Sequence, residues 1–500
     1  MMENLSNLAM GLDVVTQPYN LMIIVLGLIL GIIVGVLPGL GGANGVAILI
    51  PVVVVMPPTT GIILLSMIYW GALYGGSITS ILFNIPGEPW AVAATFDGYP
   101  MAKGGRPGKA LVLAFLAHGV GAIFGVVVLT FFAPILAEFA LKFGPAEVFA
   151  VMMMTFSAFV GLGGKSPLKT VVSILFGFIL AAVGMDIVSG QLRMTYGTVV
   201  LMGGFNFIVA VIGLFGLGEV FLTVEEGLKV EGIKTRIGFQ DIRDGMKDII
   251  RYPKALIMGT LIGCWMGFKP GGATPASFMA YGFTKQSSAN ADEFGKGAPA
   301  GIIAPEAAAH AAGTSAAIPM ITLGIPGSPT MAVIMGGLMI FGLQPGPMLF
   351  KEHADFVWGF IASCWMGNIL GFFVVLAFAP IFAAILRVRF AIFMPLIIYV
   401  CAIGAYAVNN RVIDIYYMLI FGVLGYLFKK LDYPIAPMVL ALVLGDMAEQ
   451  AMRQALIIGR GSPLVFFTLP LALPIMAAAI IIFFWPVIAP LKAKIFAKKG

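Results

Sequence analysis

Residues 75–90 read GGSITSILFNIPGEPW, and residues 324–329, GIPGSP, repeat the break at its centre. In both places an apolar run stops at Ile-Pro-Gly, followed by a polar residue and a second proline. Proline fixes φ and has no N–H, and glycine removes side-chain constraint, so no helix passes through unbroken. Whether such a break lies in water or at membrane depth depends on the rest of the chain.

The chain has 500 residues, of which 60% are hydrophobic and 10% charged, with a mean hydropathy of +1.03. A soluble globular domain carries about 25% charged residues. The reading is therefore an all-α polytopic membrane protein. Segments of ~20 apolar residues divided by short polar turns give about eleven or twelve spans. The first twenty residues hold Glu3 and Asp13 but no Lys or Arg, so the apolar run from Leu21 lacks a basic leader and reads as a retained helix.

A pI near 9.1 raises the question of nucleic acid. The basic residues are scattered between apolar spans, which fits positive-inside topology and no nucleic-acid partner. The longest polar stretch, 223–253, contains Lys229, Lys234, Arg236, Arg243, Lys247 and Arg251 and is expected in the cytoplasm. The turns with Lys103/Arg106/Lys109, Lys165/Lys169, Arg387/Arg389 and Lys429/Lys430 are expected there too, as is the tail with Lys492, Lys494, Lys498 and Lys499. Cys264, Cys364 and Cys401 form no CxxC pair and read as core packing.

The polar stretch divides two halves that resemble each other. LPGLGG (37–42) and NIPGEP (84–89) precede it; KPGGAT (269–274) and GIPGSP (324–329) follow it in the same order. Pro86 and Pro326 are 326 − 86 = 240 positions apart, and Pro38 and Pro270 are 270 − 38 = 232 apart. This organisation gives an N-terminal segment (1–20), a first transmembrane repeat (21–222), a linker (223–253), a second repeat with C-terminal helices (254–490) and a basic tail (491–500). The turn after the first break, GRPGK, is basic, whereas the one after the second, LQPGP, is uncharged. Corresponding turns on opposite sides of the membrane favour an inverted repeat, as in many secondary transporters.

Backbone at membrane depth persists unpaired only where it is buried in protein or lines a wet cavity. Paired breaks therefore point to re-entrant or broken helices facing a ligand, with freed amides toward an anion and freed carbonyls toward a cation. The candidate residues in the first half are Pro38, Gly39, Gly41, Gly42, Asn44, Ser77, Thr79, Ser80, Asn84, Pro86 and Gly87. Those in the second are Lys269, Pro270, Gly271, Gly272, Thr274, Ser277, Thr314, Ser315, Pro326, Gly327 and Ser328. For a single Ser or Thr, bonding to its own helix is the simpler reading; as a set, their hard oxygens suit sodium. Glu306 and His310, four apart, share a helix face and serve either as a structural pair or in proton or substrate handling. Glu88 is left between the break and the interface, His118 reads as a buried hydrogen-bonding residue, and His353 as solvated. Gly27, Gly31, Gly35 and Gly39 recur every four residues and read as a packing stripe. Gly163-Gly164-Lys165-Ser166 lacks the earlier glycine of a phosphate loop, Phe159 standing in its place, so no ATPase is visible.

IYWGALYGGSITSILFNIPGE with DGYPMAKGGRPG, then KPGGATPASFMAYG and APEAAAHAAGTSAAIPMITLGIPGSP with GLQPGP, resemble the large membrane subunit of the tripartite tricarboxylate transporters. The resemblance runs from about Leu21 to the tail. It implies a secondary transporter of the bacterial inner membrane that works with a small four-helix membrane subunit and a periplasmic binding protein delivering a carboxylate. It also implies coupling to a cation gradient, sodium or proton, without ATP or another cofactor, and leaves a homodimer open. Members of that family often have two asparagines where Ala309-His310 stand, and Leu-Pro-Gly where Lys269-Pro270-Gly271 stand. Both differences add a cationic group near the expected site. Alternating access is expected, with an elevator slightly preferred over rocking. The competing readings are a stand-alone carboxylate symporter and an intramembrane enzyme or channel using Glu306 and His310.

Overall fold

A computed structural model describes residues 2–37, 40–162, 166–186, 189–226, 233, 236–269, 272–385 and 390–497. The helices, in order, are α1 (Met2–Val15), α2 (Pro18–Val36), α3 (Gly41–Val53), α4 (Pro58–Phe83), α5 (Val92–Lys103), α6 (Pro107–Ala140), α7 (Pro145–Leu162), α8 (Pro167–Ala181) and α9 (Phe207–Glu225). There follow α10 (Phe239–Arg251), α11 (Pro253–Gly267), α12 (Ala273–Ser287), α13 (Pro299–Ser315), α14 (Ala317–Leu323), α15 (Pro329–Ile340) and α16 (Ala354–Ile385). The last are α17 (Phe390–Asn409), α18 (Val412–Lys430), α19 (Ile435–Ile458) and α20 (Ala472–Ala497). Among the described residues the only strands are Gly184–Met185 and Leu192–Arg193, a two-residue hairpin ladder.

Among the described residues seven helices are long and apolar enough to cross a membrane: α2, α4, α6, α9, α16, α18 and α19. That is fewer than eleven or twelve, because other apolar runs form shorter helices, among them α3 and α15, which begin at Gly/Pro breaks. Proline at the first turn starts α2, α4, α6, α8, α11, α13 and α15, where its missing N–H costs nothing. Large apolar side chains such as Ile135, Phe373 and Ile381 remain exposed on the outside, as a lipid-facing surface requires.

The duplication extends beyond the breaks. A Cβ on Gly31 or Gly35 of α2 would overlap the carbonyls of Ile68 and Ala72 on α4; one on Gly263 or Gly267 of α11 would overlap those of Ala308 and Ala312 on α13. The glycines differ by 263 − 31 = 232 and 267 − 35 = 232, and their partners by 308 − 68 = 240 and 312 − 72 = 240. The packing stripe expected on α2 is real, and α11 carries its copy. Gly39 lies outside the described residues.

The direction of the repeat follows from two contacts. Trp70 of α4 donates to Thr314 of α13 (3.2 Å), while Ser77 of α4 donates to Glu306 of α13 (3.0 Å). As residue number rises on one helix it falls on the other, so these corresponding helices run antiparallel. The two halves are an inverted repeat. They are also interlocked, since α9 packs on α17 and α18 of the second half, and α19 packs on α7 and α8 of the first. The lead-in helices cross over likewise, α1 onto α16 and α10 onto α6.

Candidate functional site

Each break is built the same way. Helix α4 ends at Asn84 in the left-handed region (φ 57°), Glu88 is extended (φ −141°), and Pro89 starts the next turn. Helix α14 ends at Gly324 (φ 69°), Ser328 is extended (φ −152°), and Pro329 starts α15. The left-handed cap explains the residue choice, since glycine and then asparagine adopt it most easily. Ile85 N–H reaches back to Thr79 O, and Ile325 N–H to Pro319 O, again 240 positions apart (319 − 79). A Cβ on Gly87 would lie 2.5 Å from Gly35 O, and one on Gly327 would lie 2.8 Å from Gly267 O. These two glycines let each break seat on its own small-residue helix.

The first break lines a cavity of about 530 Å³ together with Leu40, Gly41, Asn44 and, from the second break, Pro329; its rim is Lys429 and Tyr433–Ala436. Glu88, left open by sequence, turns inward and accepts a hydrogen bond from Gly42 N–H near the start of α3. Gly41 (φ 60°) and Gly42 lie against that carboxylate, which a Cβ on Gly41 would meet at 2.9 Å. Pro86 and Asn84 are exposed, whereas Pro326, Gly327 and Ser328 are buried, so the two copies differ in access. Ser328 caps α15 by accepting from Met331 N–H (3.1 Å). Pro38, Gly39, Pro270 and Gly271 lie outside the described residues.

The remaining candidates divide into local and long-range roles. Thr79 and Ser80 both donate to Gly76 O, at 2.9 and 2.8 Å, the simpler reading for helix hydroxyls. Thr314 accepts from Trp70, and Ser315 is buried beside it. Gly272 bonds back to Lys269 O (3.0 Å), with Thr274 and buried Ser277 following on α12. Lys269 stands over Trp265, 5.3 Å from the ring of a side chain that is 65% exposed. A cation on an outward-facing aromatic is the arrangement of a residue snorkelling at the interface.

Glu306 and His310 do share a face, but they do not pair with each other. Glu306 Oε2 accepts from Ser77 Oγ and bonds His118 Nε2 of α6, while His310 stacks on His118 with ring centres 3.8 Å apart. Tyr74 and Trp90 close the group, with Tyr74 4.6 Å from the His310 ring and Trp90 6.2 Å from that of His118. His118 is thus the buried hydrogen-bonding residue expected, with a partner 188 positions away that no local pattern reveals. His353 is exposed, and the three cysteines are buried and unpaired.

A second cavity, about 470 Å³, lies at the other end of α8 and α19 and is lined by Asp186, Arg193, Asp446 and Glu449 among others. Arg193 bonds Glu449 (2.9 Å) and Asp186, and Arg453 bonds both Asp186 (3.1 Å) and Glu449 (2.5 Å). At the opposite end Lys169 donates to Leu431 O (2.6 Å), and Lys429 and Lys430 pair with Glu219 and Glu225.

An inverted helical repeat whose first Gly/Pro break, together with Pro329 of the second, lines an open cavity defines the class, a polytopic membrane protein of transporter architecture. The chain belongs to the tripartite tricarboxylate transporter TctA family, whose model matches residues 21–440. It is accordingly a membrane subunit of a multi-component tricarboxylate transport system. It is similar to an uncharacterized 52.8 kDa protein in the TAR-I ttuC' 3' region of Agrobacterium vitis, 37% identical over 504 residues and covering all of both chains. An uncharacterized protein in the TAR-II ttuC' 3' region of the same organism is 37% identical over 223 residues, covering 45% of this chain and 91% of its own. No solved structure matches.

Proposed function

We propose that this chain is the permease of a cation-coupled importer, taking a carboxylate from a periplasmic binding protein across the inner membrane with a small four-helix subunit. The observation that carries the reading is the cavity where the first break, the start of α3 and Pro329 of the second break converge. Broken-helix termini at an inverted-repeat interface are where secondary transporters bind anions and coupling ions.

In this reading Glu88 on the Gly42 amide occupies a position suited to a substrate carboxylate, and a bound substrate competes with it for donors near the start of α3. Asn44, Pro86 and Gly87 form the surrounding wall. Transport proceeds by alternating access, one bundle moving against the interlocked scaffold of α7–α9 and α17–α19, with the basic loops and C-terminal tail cytoplasmic.

Proteoliposomes holding this chain and its small partner, given loaded binding protein, are expected to accumulate labelled citrate or malate under an inward sodium or proton gradient. Uptake indifferent to both gradients, or absent, overturns the reading.

A further inference from the structure

The cluster of Tyr74, Ser77, His118, Glu306 and His310 is set one layer behind the first break. Glu306 is 1% exposed and the other four are fully buried. Glu306 Oε1, His118 Nδ1, both ring nitrogens of His310 and the Tyr74 hydroxyl have no hydrogen-bond partner. A purely structural polar cluster satisfies its members, because each orphan in the core is costly. Orphans on four titratable groups at one place mark a site that exchanges something with its surroundings.

What it exchanges follows from the donors. Sodium is a hard cation held by several oxygens; here one carboxylate and two hydroxyls, Ser77 and Tyr74, face two imidazoles. Imidazole is the side chain suited to taking and giving a proton near neutrality. Other groups facing α13 do not neutralise Glu306. From α4 come Ser77, Tyr74 and, near Gly313, Tyr69; from α6 comes His118. From α5 comes Asp97, committed to Gly295, Gly297, Ala298 and Tyr281 of α12. Helix α11 offers buried Cys264 and, at its start, exposed Lys254, and α14 offers no titratable residue. Among the described residues Glu306 has no Lys or Arg partner.

Resting on the transport reading above, we propose that the Glu306–His118–His310 cluster is the coupling site of the carrier and that its coupling ion is a proton. With both imidazoles neutral the cluster carries one negative charge. One proton, bound on the Glu306–His118 pair from the outer side, makes it neutral overall, and its release to the cytoplasm restores the charge; nothing is oxidised or reduced. An uncompensated charge opposes passage through the apolar interior, so the loaded, neutral form is the one that reorients. The face-to-face stacking of His118 and His310 opposes two imidazolium charges and limits the site to one proton. Trp90 connects the site to the break. It follows Pro89 directly, lies 6.2 and 6.4 Å from the two imidazoles, and packs against Gly76, which Gly87 also adjoins.

The test uses the full chain with its partners in proteoliposomes, one series sodium-free with an inward proton gradient and one with an inward sodium gradient, citrate and, in parallel, malate as labelled probes, and a lumenal pH dye. The wild type is expected to accumulate the probe under an inward proton gradient and to acidify the lumen only when the probe is added. Glu306→Gln loses both by about tenfold or more, within the range of a coupling free energy, and exposed His353→Gln loses neither. Ser77→Ala, which keeps the carboxylate but removes a donor to its charged form, moves the midpoint of proton-driven uptake to higher pH. Full proton-driven accumulation by Glu306→Gln, or an unmoved midpoint in a monodisperse Ser77→Ala, overturns the proposal. Accumulation driven by sodium but not by protons overturns it while leaving the transport reading intact. Failure under both gradients overturns both.

Discussion

Gly87 and Gly327 show how a single hydrogen atom in place of a side chain fixes a break. Each backs onto a carbonyl of the helix that opens its half, Gly35 O or Gly267 O, and a methyl group there has no room without moving backbone. Gly87→Ala and Gly327→Ala are each expected to cost about 1–3 kcal/mol, the range for overpacking a close contact. Thermal unfolding in detergent should lower the midpoint in both. Asp97 is the complementary case, a buried carboxylate whose Oδ1 accepts from Gly295, Gly297 and Ala298 N–H, each at 2.8 Å, and whose Oδ2 accepts from Tyr281 OH. Asp97→Ala strands three amides at the start of α13, where each unsatisfied donor costs about 1–3 kcal/mol. Asp97→Asn keeps one acceptor and is expected to lose less than half as much by the same measurement.

At the scale of elements, the lead-in helices α1 and α10 are copies of each other that sequence hides. The polar 223–253 stretch reads as a loop, yet α10 within it docks on α6 through Gly245 against Val112 and through a Lys109–Asp248 ion pair at 2.6 Å. Helix α1 docks on α16 with Gly11 against the Trp358 carbonyl. Gly245→Leu and Gly11→Leu are each expected to release their helix, read as faster proteolysis at residues 226–253 or 1–17 while the membrane core stays protected. The breaks and the α2 stripe are legible in sequence because their signals are local: Pro-Gly pairs and a four-residue glycine period. The copy of that stripe on α11 is equally periodic but becomes evident only when α2 and α11 are superposed in register. The cluster at Glu306 was half legible. Its i, i+4 partner is visible, whereas His118 enters only because α6 packs on α13, a contact between the two halves. Lys269 shows the limit of position alone: the motif puts it at the break, and its long stem sets the charge over the exposed Trp265 ring.

At the scale of the whole molecule, inversion makes a statement about sidedness that a parallel repeat does not. The cavity at the first break has Lys429 and Tyr433–Ala436 at its rim, and the other cavity reaches Asp446 and Glu449 farther along the same helix α19. From Ala436 to Asp446 is 446 − 436 = 10 residues, roughly 15 Å at the rise of an α-helix. That distance is half the thickness of a hydrocarbon core of about 30 Å, so the two cavities lie at different depths along α19. On the positive-inside expectation for Lys169, Lys429 and Lys430, the first-break cavity would face the cytoplasm and the Arg193–Glu449 end the outside. Cys264, Cys364 and Cys401 are buried and give little background for thiol labelling. Ala43→Cys, at the first cavity, is therefore expected to react with a membrane-impermeant maleimide in inside-out vesicles and not in right-side-out ones. Met339→Cys, at the second, is expected to show the reverse. Exchange of the two patterns would turn the molecule over and place the basic turns outside; labelling of both positions from one side would remove the two-sided arrangement on which alternating access depends.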